Sequence, residues 1–283
     1  MKIAVIILNY NSSEDCRKCV ADLKRQVGVE TELILVDNCS PDADKVEALC
    51  REQGCTFIAS RENRGYNAGN NIGLRYAADK GYKYALIANP DMEFPQTDYI
   101  MKLASIMENN SDIVVAGSDI VGPSGIHQNP FKQRNNWISN FSWIVEVFTR
   151  EKKDSWKNVD KYDVSHFCWE LSGCCILIRM KFIETINFFD EYPFLYCEES
   201  ILAEQVYSAQ KRMYYFASRY AIHRHIDSTK GSQLKRIDQW KRSRLYFINK
   251  YSRDSFLGKY IAKCSVYIYV VLLKGIKKYV KKP

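Results

Sequence analysis

The 283-residue chain lacks several features that would identify its class directly. Its first residues, MKIAVIILNYNSSED, contain one Lys and no small-residue cleavage site before polar residues begin, so we expect no signal peptide. The uncharged run 264–273 is ten residues long, which is too short to span a bilayer. Cys16 and Cys19 have metal-ligand spacing, but no second pair follows, so they do not predict a zinc site. We therefore expect a cytosolic protein with reduced cysteines.

Acidic residues are scarce in the last part of the chain, and this accounts for its basic character. The whole chain has a net charge of +8, and residues 230–283 contain 15 Lys or Arg but only Asp238 and Asp254. The same segment carries aromatic residues and the apolar run 266–273. Cationic residues around such a run are typical of an element that binds an anionic membrane surface. A nucleic-acid patch is the alternative, and we predict no nucleic-acid partner.

Composition and periodicity predict a globular α/β protein. The chain has 46% hydrophobic and 26% charged residues, as ordinary globular proteins do. Apolar strand-like runs alternate with helical patterns through the first part of the chain. The predicted strands are 2–9, 32–36, 56–59, 84–88 and 113–117, and helices are predicted from Ser12 and over 42–53, 74–80 and 99–108. This alternation predicts a parallel sheet with helices on both faces.

Three of these strands end at polar residues that we expect to line one crevice. Asn9 ends the first strand, Asp37 follows the second, and Asp91 follows the fourth within residues 83–94, KYALIANPDMEF. Pro90 fixes φ and removes a donor, so the fourth strand should stop there. Ligands bind at the carboxyl ends of strands in such sheets, where a carboxylate can hold a divalent cation against phosphate. A plain Asn-Pro-Asp turn is the alternative.

Residues 63–73, NRGYNAGNNIG, are dense in Gly and Asn and precede the helical run 74–80. Glycines let the backbone approach a ligand, and a helix start offers free N–H groups to an anion. We predict a ligand-contacting loop here, and a simple loop with a helix cap is the alternative.

Carboxylates are grouped among aromatic residues over 188–205, FFDEYPFLYCEESILAEQ. The group contains Asp190, Glu191, Glu198 and Glu199, and the last two are expected to open a helix, where acidic residues are favoured. A partly desolvated carboxylate beside another can act as a general base. A capped helix start is the alternative interpretation.

The remaining patterns are weaker. Residues 119–165 predict a hairpin and a mobile loop with a short amphipathic helix, whose aromatic residues meet an acceptor or a lipid, or only pack. A strand is predicted over 167–178, a helix over 180–186, a strand over 213–216 and a helix over 239–251. His223 and His225 point to one side of an extended chain, which suits a metal or phosphate contact or a purely structural pair.

Together these segments resemble the family 2 glycosyltransferases, in particular the rhamnosyltransferase-like enzymes that build bacterial surface polysaccharides. The resemblance runs over residues 3–251 and rests on five ordered blocks: VIILNYN, LVDNCS, NRGYNAGNNIG, NPD, and FDEYPFLYCEE followed by HRH. It implies the GT-A fold, in which a Rossmann-like nucleotide-binding sheet is joined to an acceptor-side half. A basic helical tail would then follow.

The resemblance also assigns residues to a nucleotide-sugar donor and a metal ion. The implied donor-binding residues are Asn9, Asp37, Arg64, Asn67, Asn70, Asn89 and Gly173. Asn89 and Asp91 occupy the outer positions of the family's DxD motif, so Asp91 would be the main ligand of Mg²⁺ or Mn²⁺. His223 and His225 match a histidine region near the metal and the diphosphate.

The resemblance places catalysis at the glutamate pair. Glu199, preceded by Glu198, falls where inverting members carry the general base, which is usually an Asp. The family often has a further acidic residue two positions on, where this chain has Ile201. Glu199 would deprotonate the acceptor hydroxyl while the metal neutralises the leaving diphosphate.

These implications define an expected domain organisation. Residues 1–251 would form the GT-A domain, with a nucleotide-sugar-binding half at 1–117 and an acceptor and catalytic half at 118–251. Residues 252–283 would form a basic amphipathic tail that associates with the membrane. The acceptor would be a saccharide or a lipid-diphosphate-linked saccharide, and the protein would lie peripherally at the inner, cytoplasmic face of the cell membrane.

Two other functions are compatible with parts of the pattern. A nucleotidyltransferase would share the fold, but it would normally have a Gly-rich basic signature after the first strand, where this chain has NYNSSED. A non-catalytic nucleotide-sugar or membrane-binding subunit of a synthesis complex would agree with Ile201 and with Glu in place of Asp at position 199.

Overall fold

The structure, a computed structural model, describes residues 1–131, 137–141, 143–144, 159–224 and 232–280. Its strands are β1 (Lys2–Asn9), β2 (Glu30–Asp37), β3 (Thr56–Ala59), β4 (Tyr84–Ala88), β5 (Met92–Glu93), β6 (Ile113–Val121), β7 (His166–Cys168), β8 (Cys175–Arg179) and β9 (Arg212–His223). Its helices are α1 (Ser13–Lys24), α2 (Ala43–Gln53), α3 (Tyr66–Asp79), α4 (Tyr99–Asn109), α5 (Met180–Thr185), α6 (Glu198–Ser208), α7 (Gln233–Lys250) and α8 (Phe256–Val280).

The described strands form one mixed sheet in the order β3-β2-β1-β4-β8-β6-β9-β5, with β7 beside β9. The strands β3, β2, β1 and β4 are parallel, which confirms the predicted half-sheet. Strand β8 is antiparallel to both β4 and β6, and β6 is parallel to β9. The first half of the chain thus supplies the parallel part of the sheet.

Apolar residues cover both faces of this sheet. On β1, Ile3, Val5 and Ile7 pack on the side of α1, α2 and α4, while Ala4 and Ile6 pack on the side of α3 and α5. A strand that is buried on both faces needs a continuous apolar run. This explains why residues 3–7, IAVII, form a strand although apolar and polar residues do not alternate there.

The structure corrects the prediction of a loop over residues 63–73. Helix α3 begins at Tyr66, so most of the expected loop is helical. Its side chains at Asn67, Asn70 and Asn71 are buried against the rest of the protein. Asn has a low helix propensity, and here tertiary contacts override it.

The second half of the sheet has longer strands than predicted. Strands β6 and β9 extend because they pair with each other along most of their lengths. The strand expected over 167–178 is instead two strands, β7 and β8, separated by a turn that contains Gly173. Long-range pairing of this kind is not visible in local sequence.

The hairpin predicted within 119–165 is present. The Gly122 N–H donates to the Ile126 carbonyl at 2.9 Å, and Val121 bridges His127 in antiparallel fashion. A 3₁₀ helix covers Trp137–Phe141, in the region of the expected short helix. Phe148 and residues 150–154 of the expected loop lie outside the described residues.

The predicted domain boundaries can be located on the structure. The boundary at residues 117 and 118 falls inside β6, so the two halves share a sheet. The tail at 252–283 contains α8, which packs against α7 and α6 through a buried apolar cluster. The members of this cluster are Ile201, Phe247, Ile248, Ala262 and Val266.

Helix α8 is longer than the ten-residue uncharged run because it continues through its flanking lysines. Over Phe256–Gly275 it is long and apolar enough, by length and composition alone, to cross a membrane. The structure therefore corrects the expectation that the apolar segment of the tail is too short to span a bilayer.

Candidate active site

Hydrogen-bonded polar side chains lie where β1 and β2 end. Asn9 and Asp37 are register partners, and Asn9 Nδ2 donates to Asp37 Oδ1 at 2.7 Å. The Ser40 N–H donates to Asp37 Oδ2 at 3.0 Å, so both carboxylate oxygens of Asp37 accept bonds within the protein. Asn9 and Asp37 are both buried. They hold the two strand ends together at the edge of the crevice.

Asp42 completes this group, and sequence reasoning gave it no role beyond a helix start. Its carboxylate accepts from the Ser13 N–H at 2.8 Å and from Asn9 Nδ2 at 3.0 Å. Burial raises the pKa of Asp42, but hydrogen bonds from Ser40, Asn9 and Ser13 outweigh it and hold the pKa well below its usual range. A negative charge is thus fixed at the start of α1, where the helix dipole favours it.

Helix α3 packs closely on β1 through glycines four residues apart. A Cβ added to Gly69 or to Gly73 would lie 2.6 Å from a side-chain carbon of β1. A Cβ added to Gly65 would lie 2.3 Å from the Phe194 carbonyl oxygen. These glycines therefore permit packing within the protein, whereas the sequence analysis attributed them to ligand contact.

The Asn side chains of α3 fix the segment that precedes the glutamate pair. Asn67 Nδ2 donates to the Asp190 carbonyl at 2.8 Å, and Asn71 exchanges two bonds with the Phe189 backbone at 2.9 and 3.0 Å. Asn70 Nδ2 donates to the carbonyl one turn earlier at 3.1 Å. The amide nitrogens of Asn67 and Asn70, both predicted to contact the donor, thus have partners inside the protein.

Arg64 lies on the surface, beside the same segment. Its Nη2 is 3.0 Å from Glu191 Oε2, and Glu191 also pairs with Arg75 at 2.9 Å. Arg64 therefore has an acidic partner within the protein, in addition to the donor role that the sequence predicts for it.

Tyr66 joins the end of β4 to the turn before β8. Its hydroxyl lies 2.9 Å from Asn89 Oδ1 and 2.8 Å from the Gly173 carbonyl oxygen. Burial, and then the neighbouring Cys174 and Glu199, raise the pKa of Tyr66 well above its ordinary value, so the hydroxyl keeps the proton it donates. Sequence reasoning missed Tyr66 because its partner is 107 positions away.

Glu198 and Glu199 open α6, as predicted, and their surroundings differ. Glu199 Oε1 accepts from the Gly173 N–H at 3.4 Å, and a Cβ on Gly173 would lie 3.6 Å from Glu199 Cγ. Glu198 Oε1 accepts from the Tyr196 N–H at 2.6 Å. Burial, and then the charge of Glu199, raise the pKa of Glu198 above its usual range. Glu198 therefore retains a proton at higher pH than an ordinary glutamate does.

The turn before the glutamates has a strained backbone. Tyr196 and Cys197 have φ values of +78° and +67°, a region that side-chain-bearing residues rarely adopt. Such strain persists only where surrounding contacts hold it, and it is concentrated at functional sites. The turn therefore needs firm anchors on either side.

Asp190 provides one of these anchors. Its Oδ2 accepts from the Tyr246 hydroxyl at 2.7 Å and from Lys250 Nζ at 2.8 Å, and it also accepts from the Tyr251 hydroxyl. Burial raises the pKa of Asp190, but hydrogen bonds from Lys250 and Tyr251 outweigh it and lower the pKa to about 2. An ionised Asp190 thus connects the segment before Glu198 to the end of α7.

Pairing of β5 with β9 brings Asp91 and His223 together. Met92 is the register partner of His223, and His223 Nε2 lies 3.3 Å from Asp91 Oδ1. His223 Nδ1 lies 3.0 Å from Gln128 Oε1, an oxygen that can only accept, so Nδ1 carries the donated proton. This bond directs Nε2 towards Asp91. His225 lies outside the described residues.

The Asp91 and His223 atoms fit a divalent metal ion. Adjacent ligands on one octahedral ion, each about 2.1 Å from it, are about 3 Å apart, close to the 3.3 Å between these atoms. Carboxylate oxygen suits Mg²⁺ and Mn²⁺, and imidazole is the commonest metal ligand among side chains. Within the part of the chain that the structure describes, no group of three or more His, Cys, Asp or Glu residues could hold a metal.

Ile201 follows Glu199 by two positions and is only 1% exposed. It packs against Phe247 and Ile248 of α7 and against α8. The acidic residue that the resemblance leads one to expect here would be buried among apolar side chains. The departure from the family pattern thus has a packing cause, because α8 covers this position.

Solved structures share this architecture. The TarS fragment 1–349 from S. aureus, in complex with UDP, has a TM-score of 0.57 and 15% identity over 93% of this chain and 70% of its own. The mannosyltransferase PcManGT from Pyrobaculum calidifontis, in complex with GDP-Man and Mn²⁺, has a TM-score of 0.59 and 14% identity over 99% and 81%. These likenesses show that the protein has the GT-A fold.

More particularly, the chain belongs to glycosyl transferase family 2, whose model matches residues 4–183. It is 26% identical to the low-salt glycan biosynthesis hexosyltransferase Agl10 of Haloferax volcanii, over 70% of this chain and 59% of the relative's length. It is 22% identical to the N-acetylglucosaminyl-diphospho-decaprenol L-rhamnosyltransferase of Mycobacterium tuberculosis, over 80% of this chain and 77% of the relative. The chain thus spans about three fifths of the archaeal relative.

Proposed function

We propose that the protein is an inverting, metal-assisted glycosyltransferase that moves a hexosyl or rhamnosyl group from a nucleoside-diphosphate sugar to a lipid-linked saccharide. One observation carries the proposal. The Tyr66 hydroxyl contacts both Asn89, two positions before the proposed metal ligand Asp91, and Gly173, whose N–H contacts Glu199. A donor diphosphate and an acceptor hydroxyl can therefore meet between groups of suitable chemistry.

The donor would lie along the carboxyl ends of β1, β2 and β4. Asn9 and Asp37 hold this edge, and Asn89 and Gly173 border it where β4 meets β8. Arg64 precedes α3, and Asn67 and Asn70 lie in its first turns, where Gly69 packs on Leu8 of β1. UDP and GDP-Man accompany the two structural neighbours, which supports a nucleotide-sugar donor here.

Asp91 and His223 would hold Mg²⁺ or Mn²⁺, with His225 as a further candidate from the sequence. The ion, when bound, would neutralise charge on the leaving diphosphate. On the protein side, Gln128 keeps a proton on His223 Nδ1 and leaves Nε2 directed at Asp91. The remaining ligands would be diphosphate and water oxygens.

Glu199 would be the general base. Among the described residues, its carboxylate accepts one weak bond, from the Gly173 N–H at 3.4 Å, and so has capacity to accept a proton from an acceptor hydroxyl. Glu198, whose pKa is raised by burial, holds the strained turn by accepting from the Tyr196 N–H. One glutamate thus receives the proton while the other positions the helix start.

The lipid-linked acceptor is supported by the name of the mycobacterial relative, which acts on a diphospho-decaprenol-linked sugar. Such an acceptor would place the protein at the cytoplasmic face of a membrane, with its basic tail towards anionic lipid headgroups. A non-catalytic role loses one of its two supports, since packing against α8 explains Ile201; Glu in place of Asp at position 199 is the other.

The proposal predicts that Glu199→Gln lowers transfer by about 10²- to 10⁴-fold, because a positioned base contributes that much. Glu198→Gln is the matched control, because the glutamine resembles the protonated form of Glu198. Transfer by this variant should stay within about tenfold of wild type. Transfer is measured with UDP-, dTDP- and GDP-sugars and lipid-linked saccharide acceptors. Near-normal transfer by a folded Glu199→Gln protein would contradict the assigned base.

A further inference from the structure

Helix α8 has two apolar faces, and only one of them is covered by the protein. Its covered face carries Ala262, Ser265, Val266 and Val270, each at most 5% exposed. The opposite face carries eight exposed residues, which we name the α8 stripe. These are Phe256, Leu257, Tyr260, Cys264, Tyr267, Ile268, Val271 and Leu272. At a rise of about 1.5 Å per residue, the stripe is about 24 Å long.

Contiguous exposed apolar surface of this kind marks an interaction site. The stripe residues recur at spacings of three and four, so they lie along one side of the helix. Phe256 is 90% exposed and Val271 is 68% exposed, both among the highest values for large apolar residues in the described chain. The covered face already stabilises α8 on the domain, so folding does not require the stripe.

Cationic side chains border the stripe. Lys259 and Lys263 follow one edge of α8 by helical spacing. Lys241 of α7 places its ammonium 5.6 Å from the ring of Tyr267, at the same edge. Apolar residues flanked by Lys and aromatic rings match the boundary between acyl chains and anionic headgroups. A second copy of the chain would instead bring a like-charged edge to the interface.

The covered face argues that α8 lies along a bilayer and does not cross it. Trp143 Nε1 donates to Ser265 Oγ at 2.8 Å, and Ser265 Oγ donates to the Asn140 carbonyl at 2.6 Å. Lys274 Nζ pairs with Asp238 of α7 at 2.6 Å, near the other end of the helix. A spanning α8 would have to break these contacts and expose the apolar cluster beneath it.

We infer that the α8 stripe is a docking surface that lies in the plane of an anionic membrane while α8 stays packed on the domain. The choice of partner rests on the proposed function, since a lipid-linked acceptor resides in a membrane. The covered face of the same helix contacts Trp143 and packs on Ile201 of α6, so α8 would hold the predicted acceptor-side half beside the membrane.

The test is flotation of full-length protein with phosphatidylcholine vesicles, with and without phosphatidylglycerol. We expect binding to the anionic vesicles, weaker binding in high salt, and at least tenfold weaker binding by the double variant Ile268→Ser, Val271→Ser. Val27→Ser is the matched control, because Val27 is 56% exposed far from α8 in sequence and should bind as wild type does. Equal binding by the double variant would overturn the inference.

Two natural thiols report the orientation. Cys264 lies within the stripe and Cys39 lies at the end of β2, and both are exposed. Anionic vesicles should slow alkylation of Cys264 at least fivefold and leave Cys39 unchanged. Protection of Cys264 by self-association without vesicles would assign the stripe to a second copy instead. Release from the membrane by detergent only, and not by alkaline carbonate, would indicate a spanning helix and overturn in-plane docking.

These experiments use no nucleotide or sugar, so they succeed or fail independently of transfer. A protein that docks but transfers nothing would leave this inference in place and contradict the proposed function. A protein that transfers sugar yet binds no vesicle would contradict this inference and leave the proposed transfer in place.

Discussion

At the scale of single residues, Glu32 offers a test of stability against pH. Its carboxylate accepts from the Tyr76 hydroxyl at 2.8 Å and Thr56 Oγ1 at 2.9 Å, and also from Tyr82. Burial raises the pKa of Glu32, but these bonds, led by the bond from Tyr82, outweigh it and lower the pKa from 4.5 to about 2. Because the folded pKa is depressed, this stabilisation is complete above pH 4.5 and is lost as the pH falls towards 2.

We therefore expect wild type to lose up to about 3 kcal/mol more unfolding free energy than Glu32→Gln between about pH 5 and pH 2.5. Urea unfolding at stepped pH measures the difference. Glu30→Gln is the control on the same strand, since the Glu30 side chain is 72% exposed and should leave the pH dependence unchanged. Parallel curves for wild type and Glu32→Gln would show that the bonds to Glu32 contribute nothing.

The residues that line the crevice are more visible in the sequence than the contacts they make. Asn9, Asp37 and Asp91 could be located because apolar strands end beside them. Tyr66 and Gln128 could not, since their partners at Gly173 and His223 lie far along the chain. Hydrogen bonds between distant segments leave no periodic signal in a single sequence.

At the scale of elements, α3 is the clearest difference between prediction and structure. The glycines at 65, 69 and 73 predict a loop whose backbone approaches a ligand. Gly69 and Gly73 instead lie four residues apart on one face of α3, where small residues let the helix approach β1 closely. That interpretation needs the position of β1, which local propensity does not supply.

Gly65→Ala should be strongly destabilising, by about 3 kcal/mol or more, because strain and steric overlap add. Gly65 has φ +100° and ψ −177°, and its added Cβ would meet the Phe194 backbone at 2.3 Å. Gly81→Ala is the matched control: Gly81 has φ +72° but nothing within 4 Å of an added Cβ, so about 1 kcal/mol is expected. Chemical unfolding measures the loss of unfolding free energy in both variants. Equal losses would exclude the contact with Phe194 as the cause of the destabilisation.

Ile201→Asp tests the packing of α6 against α7 and α8. Introducing the acidic residue typical of the family would bury a carboxylate in an apolar cluster, at a cost of at least about 3 kcal/mol. Ile201→Val keeps the cluster apolar and should cost about 1 kcal/mol. Urea unfolding compares the two. A stable Ile201→Asp protein would mean that α8 does not cover this position in solution.

At the scale of the whole molecule, the parallel half-sheet follows from the alternation of strands and helices. The mixed half does not, because β8 inserts between β4 and β6 from later in the chain. The tail was predicted as a separate basic element, yet α8 packs on Ile201 and Phe247 and is part of the domain. A chain ended at residue 251 would expose that cluster, so it is a poor substitute for variants of the α8 stripe.

The proposed crevice is tested by nucleotide binding that depends on both a metal ion and Asp91. Uridine, deoxythymidine and guanosine diphosphates are each compared by thermal shift, with and without Mn²⁺ or Mg²⁺. Asp91→Ala is compared with Asp112→Ala, whose side chain is 60% exposed on the surface. At a hundred times its dissociation constant, a ligand adds about 2.7 kcal/mol of stability. We expect one nucleotide to stabilise wild type and Asp112→Ala only with metal, and Asp91→Ala not at all. Absence of any nucleotide effect, or an unchanged effect in Asp91→Ala, would contradict a metal-assisted donor site at the end of β4.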